Sequence, residues 1–153
     1  MKVLSLGVTA LVLLALAPLS PASAKEPTDS LLQTKTYEGI PYISGGFGVE
    51  ERAKLENLTK NDNLELSFAL LNKDYLGGAN VVIKNSKGDE VLKATADGPL
   101  FFAKLPEGKY TVEATARGTT MTQVAQITDK GQSKLYFAWN RGEMGSTQTI
   151  ARK

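Results

Sequence analysis

The stretch "GPLFFAKLPEGKYTVEA", Gly98 to Ala114, holds the densest pattern in the chain. An apolar run from Leu100 to Ala103 meets Leu105-Pro106-Glu107-Gly108, after which Tyr110, Val112 and Ala114 alternate with Thr111 and Glu113. Pro106 has the fixed φ wanted at the second position of a type I turn, and Gly108 takes the favoured fourth position. Because side chains alternate across a strand, the turn also fixes which face enters the core. The stretch reads as strand, corner and strand, and no reactive residue lies in it.

The same period extends in both directions. In "NLELSFALLN", Leu64, Leu66, Phe68 and Leu70 alternate with more polar neighbours, and "ANVVIKN" puts Val81 and Ile83 on one face. The turn "NSKGDE" leads into "EVLKAT", and the turns at Gly118 and Gly131 flank "TMTQVAQI" before "KLYFAW" closes the series at Trp139. About seven short strands, spaced by Gly or Pro turns, predict a mainly β chain: a seven-stranded antiparallel β-sandwich. The sandwich domain is expected over residues 44–140.

Upstream, "MKVLSLGVTALVLLALAPLSPASA" joins one Lys to an uncharged apolar run and ends in Ala22-Ser23-Ala24. This predicts a cleaved signal peptide over 1–24. Its apolar run of about 15 residues is short of the ~20 that a bilayer core requires. The mature chain is expected to be exported, to the periplasm or alternatively to the medium, with no membrane span after cleavage. Residues 25–43 read as an extended N-terminal lead, and 141–153 as a flexible polar tail. Between lead and sandwich, "VEERAKLENLTK" predicts a short helix over 49–60, with Glu50 and Glu51 in its first turn and Lys60 in its last.

Lys and Arg total 18 against 16 Asp and Glu, so the formal charge is +2, and nothing in this balance favours nucleic acid or an anionic membrane. The chain has no His and no Cys. That removes Ser-His-Asp and Cys-His arrangements, H-E-x-x-H and CxxC in one step, and an exported chain without thiols must be stable without disulfides. No enzyme, cofactor or metal is expected.

With the turn geometry in place, "DGPLFFAKLPEGKYTVEATARG" resembles the segment that marks bacterial carboxypeptidase regulatory-like domains, which share the transthyretin-like (prealbumin-like) sandwich. "YISGGFGVEER" and the run from Leu64 to Leu92 are similar to a group of small exported proteobacterial proteins carrying this domain. The resemblance implies a seven-stranded accessory module and no peptidase activity. It also brings carbohydrate-binding relatives into view, and an intramolecular Lys-Asn cross-link, for which the apolar inner positions at Leu64 to Leu70 leave no lysine.

The remaining chemistry is sparse. "GGFGVEE" lacks the last glycine of a dinucleotide fingerprint and reads as a helix entry. Glu50 with Glu51, or Asp97 with Glu107, are nominal carboxylate pairs for glycoside hydrolysis. "NDNLE", Asn61 to Glu65, offers oxygen ligands for calcium but reads more readily as a helix-to-strand turn. Of the rings Tyr37, Tyr42, Phe47, Tyr75 and Trp139, those left exposed would suit sugar stacking. The candidate ligand-binding set is therefore Tyr42, Phe47, Glu50, Glu51, Arg52, Tyr75 and Trp139. The expected function is non-catalytic binding or scaffolding, with an envelope protein or polysaccharide as partner, or alternatively a carbohydrate-binding module.

Overall fold

The seven segments expected from Leu64 to Trp139 each form a strand, and two further strands precede them. The structure, a computed structural model, describes residues 32–141. The elements are β1 (Lys35–Tyr37), β2 (Ile40–Gly45), α1 (Val49–Leu58), β3 (Leu64–Leu70), β4 (Asn80–Lys84), β5 (Glu90–Thr95), β6 (Leu100–Ala103), β7 (Gly108–Ala116), β8 (Thr119–Ile127) and β9 (Ser133–Trp139). The expected signal peptide at 1–24, the first part of the lead and the tail at 142–153 lie outside the described residues.

Two sheets form a β-sandwich-like fold. The first has the order β1-β2-β6-β3-β9 and the second β5-β4-β7-β8. Leu64, Leu66, Phe68, Val81, Ile83, Tyr110, Val112 and Ala114 meet in the core between them. These are the positions that alternation assigns to the inner face. At one end of the core Phe68, Phe137 and Trp139 pack with ring centroids 5.9 to 6.1 Å apart.

Two features differ from a seven-stranded antiparallel sandwich. Ile40–Gly45 is not merely a lead, because it pairs with β6 from Tyr42↔Ala103 to Gly45↔Leu100, and β1 pairs with it in turn. The described residues thus hold nine strands. Secondly, β3 and β9 run parallel along their whole length, from Leu64↔Ser133 to Leu70↔Trp139. A two-residue period reports which face is buried and carries no information on strand direction.

The continuous apolar run at Leu100–Ala103 has a structural cause. A strand covered on both faces needs apolar side chains at successive positions. Phe101 faces the main core and stacks on Tyr42 at 5.4 Å, whereas Phe102 lies with Ile43 and Leu55 in a second cluster beneath α1. The corner that follows is fixed by Tyr110, whose hydroxyl donates to the Pro106 carbonyl at 2.7 Å. This is the same return bond that gives a tyrosine corner its rigidity in other sandwiches.

Helix α1 is held to the sheet mainly by Leu55, its one buried residue, and Val49 and Leu58 remain exposed. It ends at Leu58, two residues short of the expected bound: Thr59 leaves the helical region at φ −104° and ψ 13°, while its N–H and its hydroxyl both bond the Leu55 carbonyl. Lys60 therefore lies beyond the last turn.

Candidate functional site

In the five-stranded sheet β2, β3 and β9 all point the same way, so their C-terminal ends share one end of the sandwich. Three connections gather there: Gly46–Gly48 leading into α1, Leu71–Gly78 after β3, and Asp97–Gly98 before β6. Their approach is unusually close. Ser44, 3 % exposed, donates its hydroxyl to the Leu100 carbonyl at 2.9 Å and accepts the Asp97 N–H at 2.9 Å. The Gly98 Cα lies so near that any Cβ would overlap the carbonyl group of Gly45.

On this platform the sequence candidates separate into two groups. Phe47 and Tyr75 are 54 % and 55 % exposed, and the Arg52 guanidinium lies 4.6 Å from the Tyr75 ring centroid, a cation–π contact. Phe47 lies against the backbone of Gly77, where a Cβ would come within 2.7 Å of its ring. Glu51 accepts the Phe47 N–H at 3.2 Å, so its carboxylate serves the helix start in the manner of a capping box. The structure thus brings Phe47, Glu51, Arg52 and Tyr75 together.

Glu50 is exposed at the first turn of α1. Trp139 and Tyr42 do not belong to an exposed site. Trp139 is 2 % exposed and its indole N–H donates to the Thr119 carbonyl at 2.9 Å, because it ends a strand whose inward face is already committed to the core. Tyr42 is half-buried on Phe101, and Tyr37 donates its hydroxyl to Glu90 at 3.0 Å across the seam between the sheets. Sequence reading missed Leu71, exposed beside this end, and Val49, 77 % exposed at the helix start. Their apolar character in polar surroundings was the available signal.

The opposite end carries a wide cleft of about 900 Å³ lined by Lys60, Asp62, Lys104, Glu107, Asp129 and Lys134 among others. Here the Asn61–Glu65 turn is closed by its own chain. Asn63, 8 % exposed, donates its amide to the Leu105 carbonyl at 2.7 Å and accepts the Leu105 N–H at 2.8 Å, and the Lys104 ammonium bonds the Asn61 carbonyl at 2.6 Å. The Asn63 Oδ1 and the Asn61 carbonyl, two of the oxygens a calcium ion would use here, are thus taken by amide and ammonium donors, and Glu65 pairs with Lys134 at 2.7 Å. No group of three or more acidic residues among those described is placed to hold a metal. Asp97 is bound to Lys35 at 2.7 Å and precedes β6, whereas Glu107 follows it, so this nominal pair sits at opposite ends of a strand.

Burial pushes the Asp62 carboxyl above its ordinary pKa, and Lys104 opposes this only in part. A raised carboxyl pKa means that the folded state holds its proton more tightly, so ionisation at neutral pH costs stability. Asp62→Asn is expected to raise the thermal midpoint at pH 7. The gain should fade as pH falls through the raised folded-state pKa and be gone below the ordinary Asp value, where folded and unfolded chains are both neutral at this position. Thermal unfolding of both proteins across pH 3 to 7 measures it, and a gain that grows on acidification contradicts the assignment.

No family model matches the chain. Its sequence is similar to a pyrogallol hydroxytransferase small subunit from Pelobacter acidigallici, 31 % identical over 109 residues. The match takes in 69 % of this chain and 39 % of that protein, so the chain spans about two fifths of the length of the relative.

Proposed function

We propose that this chain is a non-catalytic, exported binding module of the carboxypeptidase regulatory-like (prealbumin-like) type, which docks an envelope protein through the end face at Phe47, Arg52 and Tyr75. In this reading β3 to β9 are the seven strands of the module, and β1 and β2 extend its first sheet. The carrying observation is the pair of half-exposed rings held over a glycine platform too tight to yield. Rigid aromatic side chains beside an arginine are the composition of interface hot spots. The absence of His and Cys leaves the chain poor in general bases and nucleophiles. The similar protein is by its name a small subunit, a chain that works beside another, which supports a protein partner. The apolar run and Ala22-Ser23-Ala24 ending of the sequence at 1–24 support export to the periplasm.

Because Phe47 and Tyr75 project to solvent, Phe47→Ala and Tyr75→Ala are expected to leave the circular dichroism spectrum and thermal midpoint nearly unchanged. Each should reduce recovery of the envelope partner at least tenfold in affinity capture, the effect of losing ~2 kcal/mol at a hot spot. Undiminished capture by the double variant rules out this face.

The same two rings favour one second reading, a carbohydrate-binding module. It predicts retarded migration in gels containing a soluble envelope polysaccharide, lost on Tyr75→Ala. The protein-docking reading predicts unretarded migration.

A further inference from the structure

Strands at the edge of a sheet expose unpaired backbone groups, and proteins normally protect them with charge, brevity or cover. Three of the four edges here are protected. β1 has only three residues and carries Lys35, β5 carries Glu90 and Lys93, and β9 carries Lys134. The β9 edge lies beside β8, whose Gln123 amide donates to the Tyr136 carbonyl at 2.6 Å.

β8, "TTMTQVAQI", is the exception: nine residues, terminal in its sheet, with no charge, no Pro and no Gly. Its free hydrogen-bonding groups follow from the hairpin. Arg117 and Gly118 have φ of 52° and 77°, the two positive values of a two-residue I′ loop, and such a loop is closed by a hydrogen-bonded pair, here Ala116 and Thr119. Alternation then makes Thr115 and Thr120 a non-hydrogen-bonded pair, whose side chains approach more closely. Their hydroxyls do lie 2.7 Å apart. Thr120, Thr122, Val124 and Gln126 therefore turn their N–H and C=O groups away from β7, and these backbone groups have no partner among the described residues. Val124 is 53 % exposed on the outer surface of the same strand.

We propose that this edge pairs with β8 of a second copy of the chain, antiparallel across a two-fold axis at Gln123, joining the two four-stranded sheets into one. The strand suits itself as a partner. In this register all four unpaired residues find partners, Thr120 opposite Gln126 and Thr122 opposite Val124 of the other copy. No charge faces a like charge, hydroxyl meets amide, and the exposed Val124 packs on a Thr methyl. An isologous contact of this kind closes at two chains and does not propagate.

The test is the mass in solution, by light scattering and sedimentation, of protein expressed from its full coding sequence. The wild type is expected to be a dimer that dissociates on dilution. The double variant Thr122→Lys with Val124→Lys places lysine against lysine across the axis and is expected to be monomeric. Thr122→Glu with Val124→Lys places opposite charges there and is expected to be dimeric again. Both altered positions lie on the outer face, so thermal unfolding should show that each variant is folded. A wild type monomeric at every concentration overturns the proposal. So does a dimer that survives the Lys/Lys change, or one that the Glu/Lys pair fails to restore.

Discussion

Gly98→Ala is expected to cost about 3 kcal/mol or more, at the upper end of what overpacking does, and to lower the thermal midpoint by ~10 °C or more. The reason is a collision with backbone. A methyl group on Gly98 overlaps the carbonyl of Gly45, and Ser44 ties the two segments together by bonds to Leu100 and Asp97. Neither strand end can retreat without breaking these bonds. Gly48→Ala is the control, since its nearest neighbour would be the Glu51 Cβ at 4.0 Å and its φ is −96°. It should cost no more than ~1 kcal/mol, the price of a poorer helix cap. Chemical denaturation of the two variants decides between collision and a general intolerance of this loop.

Asn63→Ala should follow closely, at about 2 to 4 kcal/mol. The side chain satisfies both the N–H and the carbonyl of Leu105, and its removal leaves two buried backbone groups without partners. The same geometry makes a second outcome definite: added calcium should not shift the midpoint, because a ligand stabilises only when its site exists in the folded state. A calcium-dependent rise would show that the Asn61–Glu65 turn opens to bind an ion.

Much of the sandwich was legible because a half-buried strand must alternate, and a glycine or proline must stand where the chain reverses. Leu64 to Leu70 and Tyr110 to Ala114 announced their buried faces in this way. The direction of β9 beside β3 was not legible, since alternation is identical in parallel and antiparallel pairs. β1 and β2 were not legible either. Ile40–Gly45 holds a proline and a terminal glycine, and its burial depends on α1 and β6, which no local pattern records. The same reason divides the aromatic candidates. Phe47 and Tyr75 lie in glycine-bearing connections and are left at the surface, while Trp139 has the next free place in an inward row and goes to the core. Glu51 was noticed for its charge, yet its role is to hold the Phe47 N–H, a bond visible only once the helix start is built. What made "YISGGFGVEER" hard to explain by packing within one chain is that Phe47 and Val49 remain largely at the surface.

Docking at this end face is tested most directly by a photo-reactive phenylalanine analogue introduced at position 75 in the intact cell envelope, with position 130 at the opposite end as control. A discrete protein adduct is expected on illumination from position 75, absent from position 130 and reduced by Phe47→Ala. Equal labelling from both ends, or a discrete adduct from position 130 alone, would contradict it.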